Sequence, residues 1–238
     1  MVPFRKPGQS ESYDLMASKA ARAALTDAGI SYSLVEQAFA GYVYGDSCAG
    51  QAALYNVGIT GIPIFNTNNN CSSGSSAFAL ATQAIESGSV DCALALGFEE
   101  MPPGAVDVVF PDKTSPLKRH EDAIAHLMKF TEEEKSLPPA ICMFGAQVDA
   151  ILDLGVTEET LASIAVKSRK HAAGNPYAIF RDPLTIEGIL NESPLVRHLR
   201  KNYACPPSCG AAAVIVCSED FANSHGIRTD VRLAGRGW

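Results

Sequence analysis

The first hundred residues alternate between two kinds of apolar periodicity. Short apolar runs, which are typical of buried strands, occupy residues 38–44, 62–65 and 92–96. Apolar residues at helical spacing occupy residues 11–28, 51–57 and 77–85. Ser10 stands where a cap would begin the first helix, and Gly29 stands where a left-handed residue would end it. Because strands and helices alternate, the pattern predicts an α/β fold with a parallel sheet flanked by helices.

The composition changes after Met101, at a Met-Pro-Pro-Gly sequence. From there to about residue 204 the chain is richer in charge, histidine and proline, with a helical pattern over residues 158–172. Strand pattern returns at residues 211–217, followed by a short helical stretch and a further strand pattern at residues 231–234. We therefore predict an α/β domain over residues 1–101, an α-rich insertion over 102–204 and a return to the α/β domain over 205–238.

One cysteine lies where the predicted strand 62–65 passes through a polar turn into the predicted helix 77–85. The first backbone N–H groups of a helix lack intrahelical partners and carry partial positive charge, which favours a thiolate at Cys71. The same groups could stabilise an oxyanion on a carbonyl that this sulfur attacks. Ser72, Ser73 and Gly74 are small enough to let a substrate carbonyl approach. The alternative is an inert cysteine buried at the start of a helix.

Charge and cysteine content exclude several classes of protein. The net charge of −7 argues against nucleic acid or an anionic membrane as the main partner. Seven scattered cysteines do not resemble a disulfide framework, and no apolar run reaches the length of a membrane span. We therefore expect a soluble intracellular protein. Cys205 and Cys209 are spaced like metal ligands, but no second pair completes a tetrahedral set, so we expect no metal site.

Other candidates for acid–base chemistry are weaker. Five histidines could in principle assist Cys71, but each lies in a charged or helix-end context that favours a surface role: His120, His126, His171, His198 and His225. We expect His171 and His198 to lie on helices. Glu99 and Glu100 end a predicted strand, where local hydrogen bonding is the simpler interpretation. The Gly-x-Ser-x-Gly turn and the phosphate-binding glycine loop do not occur in the sequence.

Several stretches together resemble the thiolases. Residues 68–75, Asn-Asn-Asn-Cys-Ser-Ser-Gly-Ser, followed by residues 93–99, Ala-Leu-Ala-Leu-Gly-Phe-Glu, are similar to the nucleophile region of that family. Residues 41–47 and 50–51 narrow the resemblance to the sterol carrier protein x type of peroxisomal 3-oxoacyl-CoA thiolase. Further matches lie at residues 143–145, 175–177 and 210–213. The resemblance covers nearly the whole chain and implies a thiolase-like fold with a mixed, mostly parallel sheet.

The resemblance implies a function and a site. Cys71 would be the nucleophile in thiolytic cleavage of 3-oxoacyl-CoA, with coenzyme A as co-substrate and no bound cofactor. The insertion would be the loop domain that receives coenzyme A. Met143, Phe144 and Gly145 would line its pantetheine channel from a loop, although an apolar pair on a loop also suits simple core packing. By family we expect a homodimer, located in peroxisomes and acting in fatty acid β-oxidation.

The resemblance covers only the N-terminal part of the family. It implies a hydrophobic strand, central in the sheet, before Met1, and a C-terminal domain that carries catalytic histidines and a second cysteine. Activity of the truncated chain would then be impaired. A non-catalytic remnant that binds acyl-CoA, lipid or a partner chain is the main alternative, and an aldolase that works with a partner is a third. Thiolases usually carry Asp where this chain has Cys209, and its loss would loosen the turn into the following strand.

Overall fold

The computed structural model describes residues 1–103, 110 and 112–235. These form two compact units, Met1–Pro103 with Ser208–Trp238 and Gly104–Pro207. The strands are β1 (Gln37–Gly41), β2 (Ile64–Thr67), β3 (Cys92–Glu99) and β4 (Gly210–Cys217). The helices are α1 (Tyr13–Ala28), α2 (Ala49–Tyr55), α3 (Ser73–Glu86), α4 (Lys118–Leu127), α5 (Pro139–Asp153), α6 (Glu158–Ala173), α7 (Ile186–Leu190) and α8 (Glu219–Ser224).

The first unit contains a four-stranded sheet in the order β2-β1-β3-β4. β1 runs parallel to both β2 and β3, whereas β4 runs antiparallel to β3. A mixed, mostly parallel sheet flanked by helices is the architecture that the sequence predicts, and the structure confirms it. Because β1, β2 and β3 are parallel, their carboxyl ends meet at one edge of the sheet.

The period of two along β1 and β3 divides their side chains between two cores. Ala38 and Ala40 of β1 pack on the α1 side of the sheet, with Leu94 and Leu96 of β3. Alternate residues of both strands pack on the opposite side against three alanines of α3: Phe39, Ala93 and Ala95 against Ala77, Ala81 and Ala84. These small side chains let the α3 backbone lie close to the strands, so burial on both faces explains the nearly continuous apolar pattern of β3.

The ends of α1 show which capping predictions hold. Gly29 is left-handed, with φ 72°, and its N–H donates to the carbonyls of Leu25 and Thr26, as predicted. The cap at the other end is Ser12 rather than Ser10, and the helix starts at Tyr13. The Tyr13 N–H donates to the Glu100 carboxylate at 2.8 Å, so a tertiary contact fixes where this helix begins.

One other prediction about the first unit is wrong. Residues 231–235 form no strand, and Val231 is 81% exposed. Alternating apolar residues form a strand only where a neighbouring strand supplies hydrogen-bond partners, and in the described residues none pairs with this segment. The N-terminal segment of this chain lies along β4, and the strand expected before Met1 stays a prediction. The Val2 N–H donates to the Ala211 carbonyl, and Arg5 exchanges two hydrogen bonds with Cys209.

The second unit is helical and is organised around one arginine. The Arg197 guanidinium contacts the buried Glu134 carboxylate at 2.5 Å, lies 3.5 Å from Asp149 and donates to the Met128 carbonyl. The Arg197 hydrogen bonds hold the pKa of Glu134 well below its usual value, at about 2. Among the helices that the structure describes, none is both long and apolar enough to cross a membrane.

Candidate active site

Cys71 lies just beyond the carboxyl end of β2, two residues before α3 begins. Its side chain is exposed, so the alternative of a buried, inert cysteine is wrong for this structure. The preceding residue, Asn70, has φ 47°, a left-handed conformation that asparagine tolerates better than most residues. The chain therefore turns sharply at Asn70 and presents the Cys71 thiol at the start of the helix.

A serine hydroxyl closes this turn from inside. Ser73 is buried, and its Oγ donates to the Asn70 carbonyl at 2.7 Å while accepting the Asn69 N–H at 2.9 Å. The Ser72 Oγ donates to the Asn69 carbonyl at 2.8 Å, and the Asn69 amide donates to the Ser76 Oγ at 3.1 Å. Every residue flanking Cys71 is thus hydrogen-bonded to another part of the same turn, which fixes the position of the cysteine.

Two glycines form the floor beneath the start of α3. Gly41 and Gly97 are opposite each other in the β1–β3 register. A Cβ on Gly41 would lie 2.3 Å from the Ser73 carbonyl oxygen, and one on Gly97 would lie 3.7 Å from the Gly74 Cα. The helix start therefore lies directly on the sheet, and only glycine fits beneath it at position 41.

The helix start leaves several backbone donors available. The Ser72 and Ser73 N–H groups donate to the carbonyls of Asn69 and Asn70. Within the part of the chain that the structure describes, the N–H groups of Cys71, Gly74 and Ser75 have no hydrogen-bond acceptor. Free donors at a helix start can stabilise negative charge that develops on a carbonyl bound there.

A second network holds α2 against the strand that leads to Cys71. The Asn66 Oδ1 accepts the Gly50 N–H at 2.9 Å, and the Asn66 Nδ2 donates to the Gln51 side chain at 2.7 Å. The Gln51 amide in turn donates to the Ile64 carbonyl at 3.1 Å. This network fixes the carboxyl end of β2, where the turn that leads to Cys71 begins.

Glu99 has a structural role at the same edge of the sheet. Its carboxylate ends β3 and accepts the N–H groups of Val43 and Tyr44, at 3.0 and 2.8 Å. Burial raises the pKa of this carboxyl. Glu99 and Glu100 are hydrogen-bonded as expected, but their partners belong to distant segments and are not local. The Glu99 contact ties the loop after β1 to the end of β3, and Glu100 accepts the Tyr13 N–H.

The histidines do not gather around Cys71 in the first unit. His225 follows α8, after the antiparallel strand β4, and so lies at the edge of the sheet opposite Cys71. The other four belong to the second unit. His198 lies in a turn rather than on a helix, with its Nδ1 2.7 Å from an Asp149 oxygen, because the short bridge between Val196 and Leu199 folds that segment back.

The predicted channel residues lie within α5 and not on a loop. Met143 is half-buried and Phe144 is 52% exposed. A Cβ on Gly145 would lie 2.8 Å from the Val196 side chain, so this glycine allows two segments of the second unit to pack closely. Their role toward coenzyme A stays a prediction.

Cys205 and Cys209, which are spaced like metal ligands, differ in exposure. Cys205 is exposed, whereas Cys209 is buried, with its Sγ 3.5 Å from the Met101 carbonyl. In residues 1–103, 110 and 112–235, no group of three His, Cys, Asp or Glu side chains could hold a metal ion. The Cys209 backbone exchanges two hydrogen bonds with Arg5, and the effect of the missing Asp on this turn stays a prediction.

Sequence reasoning did not assign roles to Gly41, Gly97 or Asn69, and it gave Ser73 only the role of a small residue that leaves room for a substrate. Gly41 ends β1 and Gly97 lies two residues before the end of β3, and glycine within a strand is a usable signal because it often marks close backbone approach. The double role of Ser73 has no such signal, since the hydroxyl of any one serine in a serine-rich turn could make these bonds.

Comparisons with known proteins find a matching family and close relatives in sequence. Residues 1–194 match the family described as "Thiolase, N-terminal domain". Sterol carrier protein 2 of Oryctolagus cuniculus is 41% identical over 233 residues, which cover 96% of this chain and 42% of that protein. The chain therefore spans about two fifths of the length of this relative.

Two solved structures share the fold. An Ltp2-ChsH2(DUF35) aldolase has a TM-score of 0.70 at 22% identity, covering 93% of this chain and 55% of that one. Human mitochondrial 3-ketoacyl-CoA thiolase in complex with CoA has a TM-score of 0.68 at 18% identity, covering 95% of this chain and 65% of that one. At these identities the likeness is evidence of the fold alone.

Proposed function

Because this chain belongs to the thiolase family, we propose that Cys71 is the acyl-accepting nucleophile of a 3-oxoacyl-CoA thiolase of the sterol carrier protein x type. The observation that carries this proposal is the exposed thiol at a turn closed by Ser73, beside backbone donors at the start of α3. That arrangement suits attack on a thioester substrate, since it combines an accessible nucleophile with fixed donors.

The proposed reaction has two halves. The Cys71 thiolate attacks the C3 carbonyl of 3-oxoacyl-CoA, the C2–C3 bond breaks, and its electron pair leaves as the enolate of acetyl-CoA. Where C2 carries a methyl group, the product is propanoyl-CoA instead. The enolate takes up a proton, and a coenzyme A thiolate then attacks the acyl-cysteine, leaves as acyl-CoA and restores the Cys71 thiolate. The Cys71 N–H would contribute to the oxyanion hole, while Ser72 and Gly74 leave room for the substrate.

The reaction also needs a base and donors for the enolate. We assign them to protein beyond these 238 residues, as the resemblance implies, since sterol carrier protein 2 of Oryctolagus cuniculus is more than twice the length of this chain. Without a base, the rate falls by about 10²–10⁴-fold for the acid–base contribution alone. The chain by itself should therefore acylate slowly.

Coenzyme A as co-substrate, a homodimeric state, a peroxisomal location and a role in fatty acid β-oxidation belong to the same proposal. They rest on the similarity to sterol carrier protein 2 and on the thiolase fold. The Gly104–Pro207 unit would serve as the loop domain that receives coenzyme A, with Met143 and Phe144 of α5 in contact with its pantetheine arm.

A labelling experiment tests the assignment. The chain is incubated with a 3-oxoacyl-CoA, and acylated peptides and released acetyl-CoA are measured by mass spectrometry. We expect one acyl group on Cys71, absent in Cys71→Ser and retained in Cys48→Ser, the matched variant of another exposed cysteine. Acyl groups spread equally over Cys48 and Cys71 would contradict the proposal. Binding of acyl-CoA without either product would favour the non-catalytic alternative.

A further inference from the structure

Two cysteines lie directly opposite each other where β3 and β4 pair. Cys92 begins β3 and Cys217 ends β4, and the antiparallel register places them as partners. In the neighbouring pair, the Ser218 N–H donates to the Asp91 carbonyl at 2.9 Å. Because hydrogen-bonded and non-hydrogen-bonded pairs alternate, Cys92 and Cys217 form a non-hydrogen-bonded pair, for which the Cα separation is about 4.5 Å. A disulfide accepts Cα separations of about 4.4–6.8 Å.

The two side chains also share one face of the sheet. Cys92 is fully buried in the core on the α1 side, and Cys217 is partly buried against the same core. Directly opposed residues of an antiparallel pair have their Cβ atoms close together on one face, and closest in non-hydrogen-bonded pairs. Neither backbone needs to move far to join these sulfurs.

We propose that Cys92 and Cys217 are an oxidisable pair that forms a reversible disulfide by exchange with a small disulfide such as oxidised glutathione. The Cys217 thiolate attacks one sulfur of glutathione disulfide and releases a glutathione thiolate. The Cys92 thiolate then attacks the Cys217 sulfur and releases the second glutathione. Two protein thiols and one glutathione disulfide become one protein disulfide and two glutathione thiols, so atoms and electrons balance.

The order of these steps follows from the surroundings of the two thiols. Burial, with Cys217 close by, raises the pKa of Cys92 to about 12, and burial also raises the pKa of Cys217. Cys217 reacts first because it is partly exposed at the end of a strand, whereas Cys92 is closed off. Exchange at this pair is therefore slow in both directions and proceeds through Cys217.

The disulfide would join the two chain segments that build the first unit. That unit combines Met1–Pro103 with Ser208–Trp238, and the Gly104–Pro207 unit is inserted between them. Cys92 belongs to the first segment and Cys217 to the second. Closing so long a loop restricts the unfolded chain and stabilises the fold, and it keeps the segments connected when the insertion is cut.

The pair is independent of the proposed catalytic site. Cys92 stands at the amino end of β3, whereas Cys71 follows the carboxyl end of the parallel strand β2. The two cysteine sites therefore lie at opposite edges of the sheet, and the disulfide would form whether or not Cys71 accepts an acyl group.

Disulfide mapping tests the proposal on the 238-residue chain. The protein is equilibrated with oxidised glutathione, remaining thiols are alkylated under denaturing conditions, and peptides are mapped by mass spectrometry. Cleavage after glutamate isolates residues 87–99, with Cys92 as their one cysteine. We expect this peptide to be linked to Cys217, and the link to be retained in Cys209→Ser, the buried cysteine at the other end of β4.

Two further measurements test whether the disulfide stabilises the fold and joins the two segments of the first unit. Oxidation should raise the melting temperature of the wild-type chain, dithiothreitol should reverse the rise, and Cys217→Ser should show none. After limited proteolysis within the insertion, oxidised fragments should migrate together until they are reduced. Cys92 recovered in alkylated form while Cys217 carries glutathione would overturn the proposal, as would a link from Cys92 to any other cysteine. The mapping of the wild-type chain decides the matter even if Cys217→Ser fails to fold.

Discussion

The Gly41 Cα lies so close to the start of α3 that a Cβ there would approach the Ser73 carbonyl oxygen to 2.3 Å. Gly41 ends β1, and Ser73 is the first residue of the helix that follows Cys71. Because Gly41 has no side chain, the start of α3 can lie directly on the sheet. This contact therefore helps to set the distance between Cys71 and the strands.

Replacing Gly41 by alanine should displace this helix start. We expect Gly41→Ala to lower the free energy of unfolding by about 3 kcal/mol, because the clash involves backbone and cannot be relieved by a side-chain rotation. Gly74→Ala is the matched control, since a Cβ there meets nothing within 4 Å and alanine favours helices. Urea denaturation followed by circular dichroism measures both. Equal stability of the two variants would contradict the close approach.

The Ser73 hydroxyl should matter more than its neighbours. Ser73→Ala leaves the Asn69 N–H without its acceptor and removes one of the two hydrogen bonds that the Asn70 carbonyl accepts, at a cost of about 1–3 kcal/mol. Ser75→Ala, at an exposed position of the same helix, should change stability by less than about 0.5 kcal/mol. Hydrogen exchange of the Asn69 amide should accelerate only in Ser73→Ala. Unchanged exchange there would show that the turn does not depend on this hydroxyl.

In the second unit, stability should depend strongly on Arg197. Arg197→Gln leaves the buried Glu134 carboxylate without its ion pair, and we expect a loss of about 3 kcal/mol. Lys135→Gln removes an exposed pair with Glu132 and should cost about 0–1 kcal/mol. Denaturant titrations of the two variants provide the comparison. If both lose the same stability, the Arg197 contact is not a buried one.

The same ion pair predicts acid sensitivity. The pKa of Glu134 is about 2 in the folded chain and 4.5 as its ordinary value, so the unfolded chain takes up this proton first as pH falls. The stabilisation is complete above about pH 4.5 and is lost as pH falls toward 2. The stability difference between wild type and Arg197→Gln should therefore narrow across that range, measured by urea denaturation at several pH values. A difference that stays constant down to pH 2 would contradict the assignment.

The sequence by itself determined the α/β class, the strand–turn–helix around Cys71 and the resemblance to thiolases. Those features rest on local periodicity, and residues with special backbone conformations, such as Gly29, can be recognised from their position alone. It also predicted an inserted segment, because the composition changes there.

Only the tertiary structure decided which residues hold the site and which pairs meet. The contacts between Gly41 and Ser73, between Glu99 and the loop after β1, and between Cys92 and Cys217 join residues 32, 55 and 125 positions apart. The start of α1 and the helical setting of Met143 were likewise misjudged from local pattern. Contacts between distant segments depend on how strands pair and helices pack, and the sequence period reports which face a residue occupies without specifying what lies against it.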